Sequence, residues 1–363
     1  MVPTILPTTM VGSYPRPSWF RYQLEGRDVL EAFKVAAHAE TFDDAVAAVI
    51  RDQEQAGLDI LTDGQMWFDD YTMGIGAFLW YWAERIEGFG RAKLSHPARA
   101  KARGTDAFTL EEVGGVALTG PLRAGPIRMV ELHSIAARHT KHPVKACIGA
   151  GPVQLSTLVH YQSGPLEDRY ALSRALAPIF REQIDGLVAA GCEYIQLEDL
   201  GAWIPNLSGK EDYAWVNEIV AATIGGIKAK TSWHFCLGNV WGNRMKGMTA
   251  GGYAAILPHY FDAPVDELVL DFACREMVDV GILADLPRNK RVAAGVIDVR
   301  SLEVEAPEQV AERIRKVLAV VPADRVTLTT DCGLKQLPRV CAYQKLRALA
   351  EGARIVRREL GAA

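Results

Sequence analysis

No apolar run in this chain approaches the ~20 residues that a membrane span needs, and its opening, MVPTILPTTMVGSYPRP, has neither the basic start nor the long apolar stretch of a secretory leader. Membrane association is not expected, and a cytoplasmic setting is. An excess of positive charge is also missing. The 40 Lys and Arg are outnumbered by 44 Asp and Glu, for a net charge of -4, and they are scattered rather than gathered along one stripe. That removes the electrostatic footprint by which proteins hold nucleic acid. Cysteine is scarce, at six residues (147, 192, 236, 274, 332 and 341). In a cytosolic chain this points to metal binding or core packing before disulfides.

What is present is apolar and evenly punctuated. Short β-rich runs recur at 8–13 (TTMVGS), 58–64 (LDILTDG), 144–151 (VKACIGAG), 194–201 (YIQLEDLG), 231–236 (TSWHFC), 267–272 (ELVLDF), 291–298 (RVAAGVID) and 325–332 (RVTLTTDC). Between them lie stretches such as DDAVAAVIRDQEQAG and PEQVAERIRKVLAVV, with apolar residues at i, i+3, i+4 and i+7 as in helices that pack on a sheet. Eight strands alternating with helices predict an α/β fold, a (β/α)8 TIM barrel, and one barrel can absorb most of the chain as a single domain over 1–363. The segment 66–121 breaks the rhythm. It is expected to be an excursion after the second strand, a helix and hairpin at the barrel mouth. Its FLWYW cluster reads as core or as a contact with a second copy of the chain, and alternatively as a lid over the site.

In this fold the chemistry gathers at the C-terminal ends of the strands. Ser13, Asp63, Gln65, Glu198, Asp199, His234, Cys236, Asp271, Asp298, Asp331 and Cys332 all fall at or just past predicted strand ends. His234 and Cys236 are two apart on an extended run, so their side chains leave on the same side. Cys332 ends the eighth strand and must reach across the barrel mouth to join them. An imidazole and two thiolates form a zinc site with room for a fourth ligand. The alternative is that all three are packing residues of the core.

The segments TTMVGSYPRP, LDILTDGQ, GPVQLSTLV, YIQLEDLGAW, HFCLGN, LVLDF, GVIDVRSLEVE and TTDCGLKQLPR resemble, in order, the motifs of the cobalamin-independent methionine synthase family. The chain is similar to its short members, which match only the catalytic half of the full-length enzyme. The resemblance implies a Zn2+-dependent barrel that alkylates the sulfur of a small thiol. Homocysteine, giving methionine, is the first acceptor it implies. By position His234, Cys236 and Cys332 match the zinc ligands, and Asp271 stands where the family has a fourth ligand, a Glu. Asp271 either binds the ion or orients His234.

The resemblance assigns Ser13 to the substrate carboxylate, and Glu198 and Gln65 to its amino group. Gln65 replaces an acid, however, so one of two expected negative charges is missing, and an acceptor without an ammonium group would tolerate this better. Arg300 in DVRS replaces a His that moves protons. Arginine cannot act as a base but can hold an anion, with Asp298 as an acid or electrostatic partner, and the two residues can equally form a structural pair. Leu158 stands where full-length enzymes stack a Trp on folate, so the methyl donor is either folate or a corrinoid protein. The second reading is a zinc alkyltransferase for a coenzyme M-like or simple organic thiol, using an epoxide or a methylated corrinoid. A purely structural zinc site is the remaining class. Such sites draw four protein ligands close together in sequence, which is not the pattern here.

Overall fold

A computed structural model of the chain describes residues 2–20, 36–68, 81–92, 115–161, 169–238 and 251–362. Seven parallel strands form its main sheet: β1 (Leu61–Thr62), β4 (Val144–Gly149), β6 (Tyr194–Glu198), β7 (Lys230–Phe235), β8 (Glu267–Asp271), β9 (Arg291–Ile297) and β10 (Val326–Thr330), hydrogen-bonded in that order. The first predicted strand, 8–13, is a single bridge rather than a strand, Thr8 pairing with Leu328. It still closes the ring. On one side Leu328 N donates to Pro7 O and Thr9 N to Leu328 O, and on the other the amides of Asp59 and Ile60 donate to Thr8 O. The prolines at 7, 15 and 17 carry no amide hydrogen and limit how far this segment can pair.

The helices among the described residues are α1 (Ala36–Ala56), α2 (Met129–Ala137), α3 (Pro152–Leu158), α4 (Arg169–Ala189), α5 (Ile204–Ser208), α6 (Tyr213–Ile224), α7 (Pro307–Leu318) and α8 (Arg339–Glu359). Helix α7 shows why they form. Pro307 supplies the preset first turn, and Val310, Ala311, Ile314 and Val317 make one buried stripe. Helix α8 carries Arg357 and Arg358 in its last turn, which suit the negative end of the helix dipole. No described helix is long and apolar enough to cross a membrane.

A second sheet stands apart from the barrel. β2 (Ile86–Ala92) and β3 (Gly115–Ala124) pair antiparallel, and β3 pairs in parallel with β5 (Val159–Tyr161), a strand not expected from the sequence. β2 and most of β3 fall in the segment 66–121 expected as an excursion, with β3 running on to Ala124; residues 69–80 and 93–114 lie outside the described residues. Of the FLWYW cluster, Tyr81 and Trp82 are core residues: Tyr81 packs on Trp67 at 4.4 Å between ring centres, and Trp82 stacks on Phe180 at 3.9 Å.

The barrel interior is unusually polar. Alternate residues of β4, β6, β7, β8 and β10 place Lys145, Gln196, Ser232, Glu267, Thr327 and Thr329 out of solvent, with Val11, Val269 and Ala293 as a small apolar plug. At the top of β6, Asp199 ties the start of α3 to the sheet by accepting from Val153 N, Gln154 N and Gly201 N at 2.8–3.0 Å. Burial overrides these three donors and pushes the Asp199 carboxyl up to about 6. Because that lies above its unfolded value, the folded protein binds more protons between roughly pH 4 and 6, and stability falls as pH rises through this window. Wild type is therefore expected to lose up to about 3 kcal/mol relative to Asp199→Asn between pH 4 and 7, read from urea midpoints at each pH. An offset that does not change with pH contradicts this.

Candidate metal centre

The donor atoms of His234, Cys236 and Cys332 lie within 4.8 Å of one another, the one such group of three or more found among the described residues. His234 stands near the end of β7, Cys236 follows that strand and Cys332 follows β10, so the strand-end placement read from the sequence brings the three together. Two strands separate β7 from β10. The crossing is possible because β9 carries Gly295, where a Cβ would lie 2.4 Å from Asp331 Oδ1. With no side chain there, the end of β10 leans over β9. The carbonyl of Asp331 comes to 3.3 Å from His234 Nε2.

Two carboxylates brace this crossing. Asp331, fully buried, accepts from Phe272 N and Ala273 N at 3.0 Å and from Cys274 N at 2.5 Å, so it holds the turn that follows β8. Asp271 Oδ1 lies 3.1 Å from His234 Nε2, and its Oδ2 accepts from Leu237 N at 3.0 Å. Asp271 thus makes the His234 contact, and it lies outside the group of donors within 4.8 Å. Tyr253 adds a third tie, accepting from Asp271 N and donating to Phe235 O.

The sulfurs of Cys236 and Cys332 are 3.4 Å apart, and Gly238 N donates to Cys236 Sγ. Tetrahedral zinc with sulfur bonds of about 2.3 Å would set them about 3.8 Å apart, a few tenths more. The contact with Cys236 and burial raise the Cys332 thiol well above its usual range, so two thiolates cannot coexist here without a cation between them. Burial opposes protonation of His234, but Asp271 prevails and lifts it to about 9. A metal must displace that proton to bind. Two thiols and one imidazole fit Zn2+ on donor chemistry.

The remaining expected residues divide into two groups. A Cβ on Gly333 would sit 1.9 Å from Ser13 Oγ, so the Ser13 hydroxyl lies on the backbone next to Cys332. One residue earlier, a Cβ on Gly12 would meet Gln65 Oε1 at 2.7 Å and Glu198 Oε1 at 2.9 Å. Ser13, Gln65 and Glu198 therefore form one continuous wall beside the donor cluster. Gln65 takes a left-handed backbone, φ 48°, held by Asp63 Oδ1, which accepts Gln65 N at 2.8 Å. Its Nε2 donates to Glu198 Oε2 at 3.0 Å. Burial pushes the Glu198 carboxyl above its usual range, against the pull of His234 and of the Gln65 amide.

Asp298 and Arg300 instead bond to each other. Asp298 Oδ1 accepts Arg300 N at 2.8 Å and lies 3.6 Å from its Nε, while Asp298 N donates to Glu305. Leu158 ends α3, and its side chain lies outside the described residues.

Sequence reasoning gave no role to Lys145, Gln196 or Tyr253, and placed Asp331 at a strand end without one. A signal existed for two of them. Lys145 in VKAC and Gln196 in YIQLE sit at the inward positions of their strands, in register with Cys147 and Glu198.

The sequence profile described as "Cobalamin-independent synthase, Catalytic domain" matches residues 6–354. A 2-hydroxypropyl-CoM lyase of Xanthobacter autotrophicus is 33% identical over 395 residues, covering 99% of this chain and 96% of its own length. A methionine synthase of Saccharolobus solfataricus is 31% identical, covering 98% and 96%. Among solved structures, a B12-independent methionine synthase from Shewanella in complex with selenomethionine superposes with a TM-score of 0.79 at 25% identity, over 99% of this chain and 100% of that one. With a barrel of that fold and a match that runs almost from end to end, the chain belongs to the cobalamin-independent methionine synthase family, as a form of its catalytic domain.

Proposed function

We propose that the protein transfers a methyl or other alkyl group to the sulfur of a small thiol, with zinc as cofactor. The observation that carries this reading is the cluster of His234, Cys236 and Cys332 at the barrel mouth with Ser13 beside it. A zinc ion in that cluster supplies the positive charge that lets a bound thiol lose its proton near neutral pH. His234, Cys236 and Cys332 would hold the ion, and Asp271 would orient His234 through its carboxylate. Ser13 would hold an anionic group on the acceptor, while Gln65 and Glu198 face its other end. The acceptor sulfur attacks the electrophilic carbon of the donor, forming the S–C bond as the bond to the leaving group breaks. Arg300 would hold an anion of substrate or donor at the rim, with Asp298 fixing its position.

Homocysteine is the first acceptor by relationship to the methionine synthases, with folate or a corrinoid protein as methyl source. A thiol without an ammonium group, alkylated by an epoxide or a methylated corrinoid, is the second reading. It is favoured by the amide of Gln65 standing where a carboxylate would assist Glu198. The zinc X-ray absorption edge is expected to gain a sulfur ligand when the accepted thiol is added. A spectrum indifferent to homocysteine, coenzyme M and 2-mercaptoethanol alike contradicts thiol activation. Growth of a methionine auxotroph on homocysteine, supported by this gene alone, separates the two acceptors.

A further inference from the structure

Lys145 is buried to 1% exposure in the barrel interior, directly below the Gln65–Glu198 wall. Its Nζ donates to Met10 O at 2.8 Å and to Gln196 Oε1 at 2.6 Å, and faces the ring of Tyr194 at 5.4 Å. Gln196 then turns its Nε2 to Val11 O at 2.7 Å and to Glu198 Oε1 at 3.0 Å. The opposite flip of this amide would set oxygen against a carbonyl and a carboxylate, and NH2 against an ammonium, so Lys145 and Glu198 together fix one orientation. A second interior carboxylate, Glu267, is already met by Lys230 at 2.9 Å and Arg291 at 3.7 Å, and a third, Asp271, is turned to His234 and to Leu237 N. Glu198 is the carboxylate that Lys145 reaches through Gln196. His234 adds no charge here once it serves as a metal ligand, because it then binds as neutral imidazole.

We propose that Lys145, acting through Gln196, is a specificity-determining residue: it cancels the charge of Glu198, so the end of the acceptor that faces Gln65 and Glu198 is one without a positive charge. The proposal rests on the thiol-activation reading above and narrows its substrate class to thiols whose far end is neutral or anionic. Lys145, buried behind Gln196, is a positioning residue that touches no substrate. It works by setting the field and the amide orientation behind Glu198.

The test uses full-length protein reconstituted with Co2+, whose charge-transfer absorbance reports thiol binding without a methyl donor. The probes are cysteamine and 2-mercaptoethanol, alike in length, one ending in an ammonium and one in a hydroxyl. Their different thiol acidities cancel when the affinity ratio is compared between variants. Lys145→Met and Lys145→Gln are expected to raise the cysteamine to 2-mercaptoethanol ratio about tenfold, as removal of one unit charge lying one amide group behind Glu198 should in a partly buried site. A general loss of packing would weaken both probes together and leave the ratio alone. An unchanged ratio in either variant that still binds cobalt overturns the proposal. If neither folds, Gln65→Glu tests the premise the proposal needs, that the acceptor's far end meets this wall, because it adds a negative charge there while Lys145 stays in place. There too the ratio must rise about tenfold, and constancy refutes that premise and with it the proposal. No absorbance change with either thiol in the wild type would instead sink thiol activation itself.

Discussion

Replacing Cys332 by alanine is expected to weaken zinc binding about a thousandfold and to abolish alkyl transfer, because a soft site with an open position falls from three protein ligands to two. The fold should survive the change. Cys332 is half-buried at the mouth of the barrel, so truncating it removes little packing. Cys341→Ala is the matched control: that thiol is carried on α8, buried, donates to Leu302 O and is not part of the donor cluster, and its loss should leave zinc stoichiometry unchanged. Zinc released to a chromophoric chelator, measured beside a thermal melt, reads both outcomes. Full zinc retention in Cys332→Ala would rule out the three-donor site.

Asp331→Asn is expected to cost about 3 kcal/mol or more of stability and to lower zinc affinity ten- to a hundredfold. The stability loss follows from three buried amides, at Phe272, Ala273 and Cys274, that share one carboxylate. An asparagine keeps one oxygen for them and turns an NH2 group on the rest. The loss of metal has a separate cause. Asp331 holds the end of β10 against the turn after β8, and that position delivers Cys332 to His234 and Cys236 of the β7 segment. Ile314→Ala on α7, a buried position remote from the mouth, should cost a comparable 2–5 kcal/mol by leaving a cavity. Zinc affinity should hold in that variant and fall in Asp331→Asn. Parallel losses in both would mean that Asp331 stabilises the barrel without positioning Cys332.

Much of the architecture was legible as pattern. β8 reads ELVLD with every residue buried, as a strand covered on both faces must, and α7 declares its buried stripe by spacing. His234 and Cys236 could be paired from their i, i+2 spacing. The first strand misled because its β-rich run contains Gly12 and is followed by prolines, so only Pro7 to Thr9 enter the ladder. β5 was hidden because it is only three residues long and follows directly on α3, too short a run for alternation to show.

The sequence by itself determined the barrel and most of its strand ends, and singled out His234, Cys236 and Cys332 as candidate donors, because alternation, helical spacing and soft-ligand chemistry are all local properties of residue type. Only the tertiary structure decided how Cys332 reaches His234, since that depends on the bare backbone of Gly295 and on the grip of Asp331 across two strands. It also decided the electrical character of the acceptor wall. Lys145, Gln196, Glu198 and Gln65 come from three strand segments, and a charge is felt through space at the distance folding sets, whatever the separation along the chain.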